Sequence, residues 1–340
     1  MPYQVGFIGT GEIAHIHAQI LASMPETWHI VMGYDVVKES CEDFCLAFDA
    51  TAATSEAEVI SSPEVEVVYI CTRHDSHVPL AIEACRAGKS IFLEKPLAMN
   101  TGEAIQLKKV HHSHPVPFVV GFNMRVAPAT MKFRHLLKEN HVCAESFRMN
   151  MTGAPYMNSW ACDPITGGGV LVSQAPHMFD LLSNLLGSRV AQVNVSTKRI
   201  YQPEHLLPNS ATLLIRLENG VEGTLLLHDR GTYPFHVDPG GKMINLVVYS
   251  QQGTFELDAY SGIRYVQENK LVEEFPNTPY NIAQRWGYQT QAQLFAETLK
   301  SGKGPLCTLE EAAEVVAVVD AAFRSEKSGH WDLVDYHCLT

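Results

Sequence analysis

Short apolar runs alternate with helical patterns along the first third of the chain. The strand-like runs cover residues 3–8, 29–34, 65–71, 90–93 and 117–122. Helical spacing of apolar residues marks 13–23, 78–87 and 101–112. Because strands separated by helices of roughly ten residues are typical of βαβ units, this region predicts a parallel sheet.

After residue 123 the apolar positions mostly follow the strand period of two. Such runs cover 145–152, 191–201, 211–217, 223–228, 245–249, 254–259 and 263–267. Asn219-Gly220 predicts a hairpin turn, and 251–253 predicts another. Helical patterns at 170–186, 288–300 and 309–325 complete the region. We therefore predict a first domain of residues 1–123 and a second, α+β domain of residues 124–340 with a large, mostly antiparallel open sheet.

Composition narrows the class of protein. The 340 residues carry a net charge of −12 and no block of Lys or Arg, which argues against a nucleic-acid partner. No apolar run reaches membrane-spanning length, and the strand-like start at Tyr3 leaves no room for a signal peptide. The eight cysteines contain no CxxC pair, which fits a reducing compartment. We predict a cytoplasmic protein without a membrane partner.

A glycine-rich turn follows the first strand. Gly9 and Gly11 are followed by Ala14 in the GxGxx(G/A) pattern that opens a helix, so Glu12 and Ile13 join the candidate cofactor-binding residues. In this pattern the free amides at the helix start hold a pyrophosphate. The alternative is a plain strand–turn–helix connection. With the pattern of strands and helices, the turn predicts an NAD-binding Rossmann domain.

Asp35 ends the second strand, 21 residues after Ala14. An acidic residue there hydrogen-bonds the ribose 2′-hydroxyl and repels a 2′-phosphate. The following residues, Val36 and Val37, supply no cation, so NAD is favoured over NADP. The alternative is that Asp35 only caps the helix that begins near Lys38.

Polar residues follow the next two strands. Thr72, Arg73 and His77 are predicted to flank the nicotinamide half of the cofactor, although N-capping by Asp75 or Ser76 is an alternative. After the apolar run 90–93 come Glu94, Lys95 and Pro96. Open α/β sheets bind ligands at the carboxyl ends of their strands, so Glu94 and Lys95 are candidate cofactor contacts.

These motifs together resemble the glucose–fructose oxidoreductase/inositol dehydrogenase family (Gfo/Idh/MocA). The similarity continues through residues 120–125, Trp160 and 167–177. It implies a Rossmann domain beside an open sheet that carries the substrate site and mediates homo-oligomerisation, as a dimer or tetramer. It also implies NAD(P)-dependent oxidation or reduction of a ring hydroxyl or ketone on a sugar, sugar derivative or cyclitol.

The chemistry of such a reaction selects two catalytic residues. Carbinol oxidation needs a hydride acceptor, a base for the hydroxyl proton and a cation near the developing oxyanion. Lys95 is the predicted cation, and His177 is the predicted base because its ordinary pKa lies near neutrality. The alternatives are a surface lysine and a packed helix histidine.

Ser173, His177, Asp180 and Asn184 share one helical face, which predicts a polar cleft. The resemblance implies that Asp180 holds a substrate hydroxyl, whereas relatives often carry aspartate where this chain has Ser173. Gln174 is a further candidate for contact with the substrate, or alternatively with the nicotinamide amide. A hydrogen-bonded helix residue is the alternative for Asp180.

The remaining substrate candidates have weaker signals. Trp160 offers an apolar ring to a sugar face, with core packing as the alternative, and Asn123 belongs to the family motif. Arg125 would pair with an acidic group of the substrate or with a Glu or Asp on the surface. Residues 229–242 and 277–286 are candidates to cover the pocket.

Sixteen histidines raise the question of a metal. His15 and His17 are two apart on one helix and are expected to face different ways. His111, His112 and His114 cluster at a helix end, where histidine complements the dipole. No zinc-like spacing joins them to cysteines or carboxylates, so we predict no metal.

Three functions remain open at this stage. The leading interpretation is an NAD-dependent sugar or cyclitol dehydrogenase. A lyase or glycosidase that uses tightly held NAD for transient ring oxidation needs the same first half-reaction. A non-catalytic regulator that senses dinucleotide is the third, and the presence of Lys95 and His177 argues against it.

Overall fold

The computed structural model describes residues 1–153, 159–200, 207–228, 243–267, 269–274 and 281–339. The predicted cover segment 229–242 lies outside these residues, as do positions 277–280 of the other one. The chain forms two compact units. The first contains Met1–Phe122, Tyr288–Val316 and Leu339, and the second contains Asn123–Gly287 and Ala317–Cys338. The first unit thus includes a C-terminal segment beyond the predicted 1–123.

The helices of the described chain follow in order. They are α1 (Glu12–Ala22), α2 (Lys38–Phe48), α3 (Glu56–Ser61), α4 (His77–Arg86), α5 (Thr101–Ser113), α6 (Pro128–Glu139), α7 (Gly169–Ser173), α8 (Ala175–Leu186), α9 (Ile282–Arg285), α10 (Tyr288–Ser301) and α11 (Leu309–Ser328).

The first unit contains a six-stranded sheet in the order β3-β2-β1-β4-β5-β6, with all neighbours parallel. Its strands are β1 (Tyr3–Ile8), β2 (Trp28–Tyr34), β3 (Thr51–Ala52), β4 (Val67–Ile70), β5 (Ser90–Leu93) and β6 (Phe118–Val120). Helices cover buried strands such as β4, whose residues are at most 1% exposed, as parallel sheets require.

The register of this sheet aligns the carboxyl ends of four strands. Ile8 pairs with Ile70, Ile70 with Leu93, and Leu93 with Val120. The residues that follow these strands, including the glycine turn and Glu94, therefore lie side by side at one edge.

Helix α10 joins the first unit by packing against α1. Phe295 of α10 is fully buried, and its ring stacks on Trp28 with centroids 5.8 Å apart. This aromatic contact supplies apolar burial that the first 123 residues do not provide by themselves.

The second unit contains a nine-stranded sheet in the order β14-β13-β12-β11-β7-β10-β9-β8-β15. Its strands are β7 (Ala144–Thr152), β8 (Val190–Lys198), β9 (Ser210–Leu217), β10 (Glu222–His228), β11 (Met243–Ser250), β12 (Gly253–Asp258), β13 (Gly262–Gln267), β14 (Lys270–Glu274) and β15 (Asp332–Leu333). Only β7 and β10 pair in parallel in the described part of this sheet. The predicted fold class is confirmed.

Several local elements differ from the sequence patterns. The single helix predicted over 170–186 is two helices, because Pro176 cannot donate a backbone hydrogen bond and Gln174 stands at the break. Helix α6 was not predicted, although Pro128 occupies its first turn. Strand β14 was not predicted either, because its Lys and Glu residues resemble a loop. Both predicted hairpins, β9–β10 and β11–β12, are present.

Candidate active site

The glycine turn of the first unit has the geometry of a phosphate cradle. Gly9 has φ +85°, and a Cβ there would lie 2.4 Å from the carbonyl oxygen of Cys71, so only glycine fits. A Cβ at Gly11 would meet nothing within 4 Å, and Gly11 is the N-cap residue of α1, which has no side-chain cap bond. Glu12 is exposed and Ile13 is half-buried in the first turn of α1. This open, uncapped helix start fits the pyrophosphate of a dinucleotide.

The carboxylate of Asp35 is fixed beside this turn. Its Oδ2 accepts the Thr10 amide at 2.7 Å, and its Oδ1 accepts the Val37 amide at 2.9 Å. Val37 is the N-cap residue of α2, which has no side-chain cap bond, so Asp35 bonds the residue before the helix and not an amide of its first turn. Asp35 is only half-buried, which leaves its carboxylate partly open to solvent.

The loop after β4 is organised by local bonds. Arg73 is exposed and pairs with Asp75 at 3.0 Å, and the hydroxyl of Ser76 donates to Thr72 Oγ1 at 2.7 Å. His77 is fully buried, and its ring nitrogens face Pro96 O at 2.7 Å and Thr72 O at 3.2 Å. Burial lowers the pKa of His77 against the opposing effect of these two contacts. His77 therefore ties the loop after β4 to the loop after β5.

Glu94 and Lys95 follow β5 at the same edge. The Glu94 side chain is buried, with His17 Nε2 lying 2.8 Å from Oε1 and the Lys95 amide donating to Oε2 at 3.1 Å. Lys95 is half-buried and precedes a cis peptide bond to Pro96.

His17 is a functional candidate that the sequence patterns missed. The prediction that His15 and His17 face different ways is confirmed, since His15 packs on Phe44 with ring centroids 5.2 Å apart. The helical period held a usable signal, because His17 lies three residues after the buried Ala14 and so shares its face.

In the second unit, the glycine-rich segment positions two helices. Gly168 has φ +74° and precedes α7, which ends at Ser173. The His177 amide donates to the Gln174 carbonyl oxygen at 3.2 Å across the break into α8. The side chains of Ser173, Gln174 and His177 are buried, with at most 7% of each residue exposed.

Asp180 makes a buried ion pair with Arg125. The Nε atom of Arg125 lies 2.8 and 2.9 Å from the two carboxylate oxygens, and Nη2 lies 2.6 Å from Oδ1. Arg134 extends this network by donating to the Arg125 carbonyl oxygen at 2.8 Å and to Asn184 Oδ1. Burial and the charge of Arg125 lower the pKa of Arg134, while Asp180 opposes that shift. The acidic partner of Arg125 within the protein is thus a buried carboxylate, whereas the alternative predicted beside a substrate group was a Glu or Asp on the surface.

Asn123 and Trp160 are placed by local contacts of the second unit. Asn123 is 2% exposed, and its amide donates to the Trp286 carbonyl oxygen at 2.8 Å. Trp160 is half-buried, and its carbonyl oxygen accepts from the Thr166 hydroxyl at 2.7 Å. The substrate roles predicted for them stay predictions.

The described residues hold no group of three His, Cys, Asp or Glu side chains arranged to bind a metal. Nor does any described helix have the length and apolar character needed to cross a membrane.

Comparison with known proteins assigns the chain to a family. The sequence model of the Gfo/Idh/MocA oxidoreductases with an NAD-binding Rossmann fold matches residues 3–122, and the model of their C-terminal α/β domain matches 139–333. The chain belongs to the Gfo/Idh/MocA family. The predicted resemblance and the predicted class of enzyme, an NAD(P)-dependent dehydrogenase, are therefore confirmed.

Relatives within the family are distant but of nearly equal length. Oxidoreductase P35 of Formosa agariphila is 24% identical over 326 residues, covering 93% of this chain and 96% of that protein. Inositol 2-dehydrogenase of Rhizobium meliloti is 23% identical over 336 residues, covering 96% and 97%. The solved structure of levoglucosan dehydrogenase with NADH and levoglucosan superposes with a TM-score of 0.87 at 20% identity, covering 98% and 100%. At this identity the structural similarity shows the fold alone.

Proposed function

We propose that this family member uses NAD to transfer a hydride between the nicotinamide and a ring hydroxyl or ketone of a sugar, sugar derivative or cyclitol. The observation that carries the proposal is the placement of Lys95 and the glycine turn at one edge of the parallel sheet. The names of similar dehydrogenases, which act on inositol or levoglucosan, support the substrate class.

The cofactor half of the proposal assigns the pyrophosphate to Gly9, Gly11 and the start of α1. Asp35 is assigned to the hydroxyls of the adenosine ribose, where its charge disfavours a 2′-phosphate. The next side chains, Val36 and Val37, are 86% and 54% exposed and carry no compensating charge. These features support NAD over NADP.

The nicotinamide half is assigned to the loops that follow β4 and β5. Thr72 and Arg73 belong to the first loop, and Glu94 and Lys95 belong to the second. We assign His77 the role of holding these loops together, since both of its ring nitrogens already face carbonyl oxygens.

Bound NAD would supply the hydride acceptor for carbinol oxidation. We assign the Lys95 ammonium to the substrate oxygen, where a positive charge favours loss of the hydroxyl proton. We assign His177 Nε2 to take up that proton and to return it in the reverse direction. Ser173 and Gln174 are proposed substrate contacts, whereas the Asp180–Arg125 pair is proposed to support the helix that carries His177.

The nine-stranded sheet carries exposed apolar residues that bear on the oligomeric state. Large apolar side chains of the nine-stranded sheet are exposed, including Leu214 at 44% and Leu271 at 65%. We propose that this sheet forms the contact of a homo-oligomer, which light scattering would detect as a dimer or tetramer.

All eight cysteines lie in the described residues and none forms a disulfide, which supports a cytoplasmic location.

The test is a screen of sugars, sugar acids, aminosugars, glycosides and inositols with NAD and NADP, followed by NADH absorbance. Lys95→Ala should abolish turnover and keep dinucleotide binding, measured by calorimetry. Lys109→Ala is the matched control, because Lys109 is an exposed lysine of the same unit. His177→Ala should slow turnover by about 10²- to 10⁴-fold.

Several outcomes would contradict the proposal. A Lys95→Ala variant with wild-type rates would remove the assigned chemistry. Product formed without net NADH would move the enzyme to transient oxidation and elimination. Equal or tighter binding of NADP would overturn the role of Asp35.

A further inference from the structure

A buried acid–imidazole pair lies directly beside the proposed catalytic lysine. The side chains of His17 and Glu94 are 3% and 7% exposed, and their closest atoms are 2.8 Å apart. Because a carboxylate oxygen only accepts, the Nε2–H of His17 donates to Glu94 Oε1. The two residues are 77 positions apart, so the fold has to bring them together.

The surroundings of the pair are largely aromatic. The His17 ring lies 4.9 Å from Phe92, 5.3 Å from Tyr288 and 5.6 Å from Tyr69, measured between ring centroids. A carboxyl group buried against such rings is costly unless donors satisfy its oxygens. The observed donors are therefore needed for Glu94 to stay in this position.

The space for the carboxylate also depends on a neighbouring strand. A Cβ at Gly121 would lie 2.9 Å from Glu94 Oε1, closer than side chains normally approach. The absence of a side chain at Gly121 thus leaves room for the Glu94 carboxylate beside β6.

The second oxygen of Glu94 reaches the catalytic segment itself. Its Oε2 accepts the Lys95 amide at 3.1 Å, while the first oxygen is held by His17 of helix α1. The carboxylate therefore connects α1, whose start is the proposed phosphate site, to the backbone that carries the Lys95 side chain. Neither His17 nor Glu94 needs to touch the substrate to affect the geometry of that backbone.

We infer that His17 and Glu94 are positioning residues. They fix the backbone of Lys95 and thereby the point from which the side chain with its ammonium group extends. This inference rests on the proposed function for the role of Lys95. It adds His17, a residue of the helix that follows the glycine turn, to the residues that support catalysis. It also gives Glu94, besides its proposed cofactor contact, the role of holding the backbone of Lys95.

The first measurement uses the wild-type protein without any ligand. Amide hydrogen exchange, resolved to single residues by fragmentation mass spectrometry, reports whether the Lys95 amide is bonded. Pro96 has no amide, so the Lys95 signal has no neighbour on its C-terminal side. We expect strong protection of the Lys95 amide, and exchange at the rate of an unstructured chain would overturn the inference.

Variants then test the two partners separately. Glu94→Ala removes both acceptor oxygens, and His17→Leu removes the donor while keeping apolar volume. Each should speed exchange of the Lys95 amide by at least about tenfold, the effect expected for losing a hydrogen bond to a charged group. On a substrate from the screen, kcat should fall by about the same factor. In His17→Leu, which alters no proposed cofactor contact, the dissociation constant of NAD should change less than about threefold.

A conservative variant and a matched control separate positioning from general damage. The amide of Gln in His17→Gln still donates to Glu94, so Lys95 protection and kcat should recover most of the loss seen in His17→Leu. Glu58 also accepts a backbone amide and a hydroxyl, both from Thr54 and both at 2.7 Å, but it precedes a different strand. Glu58→Ala should leave Lys95 exchange and kcat unchanged.

The outcomes distinguish this inference from the proposed function. If Lys95→Ala is inactive while Glu94→Ala and His17→Leu keep wild-type kcat and Lys95 protection, the positioning role alone is wrong. If Lys95→Ala stays active, the proposed function fails, and the exchange data still decide whether the pair fixes this backbone. Should His17→Leu not fold, wild-type exchange and His17→Gln decide, and lost protection in His17→Gln would count against the pair.

Discussion

The two units each bury a carboxylate in a family motif, and they satisfy it in different ways. Glu94 of the first unit divides its oxygens between His17 and the backbone amide of Lys95. Asp180 of the second unit pairs through both of its oxygens with the guanidinium of Arg125. A buried carboxylate thus accepts from the backbone of the proposed catalytic lysine in the first unit and forms an ion pair in the second.

This difference shows that a motif carboxylate should be interpreted through its partners. The substrate role that the resemblance implied for Asp180 stays a prediction, and the structure shows both of its oxygens accepting from Arg125 at 2.8 and 2.9 Å. Residue type and spacing are the same for an acid that binds substrate and an acid that holds an arginine. Only the contacts of the folded chain separate them.

The largest expected effect on the free energy of unfolding comes from breaking the Arg125–Asp180 ion pair. Arg125→Met keeps an unbranched apolar stem but removes the guanidinium, which leaves Asp180, 1% exposed, without its main counter-charge. Removing one partner of a buried pair costs about 3–5 kcal/mol of unfolding free energy. The nearby Arg134 should keep the loss towards the lower end, since its charge already interacts with Asp180. Urea unfolding at neutral pH measures it.

An exposed pair of the same unit is the matched control. Arg189 reaches both oxygens of Glu218, at 3.1 and 2.8 Å, but its side chain is 44% exposed. Arg189→Met should therefore change the unfolding free energy by less than about 1 kcal/mol. Equal effects of the two substitutions would mean that burial does not distinguish the Arg125–Asp180 pair.

Much of the fold was predictable because the periodicities are local. The apolar run 3–8 matches β1, and the turn at Asn219-Gly220 matches the hairpin of β9 and β10. Tyr288–Val316 joins the first unit through long-range packing, such as Phe295 on Trp28, and the helical pattern of a segment does not say which sheet it covers. The same limitation applies to β14, an edge strand with charged residues.

The residues of the candidate site were likewise predictable where local patterns place them and not where long-range packing does. Gly9, Asp35 and Lys95 follow strands, and the parallel register brings such positions to one edge. The contact between His17 and Glu94 depends on how α1 sits on the sheet, so motif spacing does not reveal it. The pairing of Arg125 with Asp180, 55 residues apart, was not predicted for the same reason, since the alternative to a substrate group was a surface acid.

A medium effect is expected from pH and concerns the loops of the first unit. Burial lowers the folded-state pKa of His77, so the unfolded chain binds a proton at this residue first as pH falls. The free energy of unfolding should therefore decrease below the unfolded histidine pKa of about 6.5, by at most about 1.4 kcal/mol at pH 5.5. In His77→Gln this part of the decrease should disappear, measured as the difference in urea unfolding between pH 7.5 and 5.5, both about one unit from that pKa.

Comparison with an exposed histidine makes the pH test specific. His112 is exposed on α5 of the same unit, and His112→Gln should keep the wild-type pH dependence. Loss of the pH dependence in both variants would point to a general effect of removing a histidine. An unchanged pH dependence in His77→Gln would show that the buried ring does not limit acid stability.

The smallest expected effect sharpens the picture of the surroundings of Glu94. Tyr69 is fully buried, and its hydroxyl has no hydrogen-bond partner among the described residues. Burial raises the pKa of Tyr69 well above its ordinary value, with further contributions from Cys71 and Glu94. Tyr69→Phe removes this buried hydroxyl without removing a bond, so the unfolding free energy should stay equal or rise by up to about 1 kcal/mol.

Tyr336 is the matched control, because its hydroxyl donates to the Val190 carbonyl oxygen at 2.8 Å, and Tyr336→Phe should lower the unfolding free energy by about 1 kcal/mol. A clear loss in Tyr69→Phe would mean that the hydroxyl is bonded in solution, and that the site of Glu94 is more polar than its aromatic neighbours suggest.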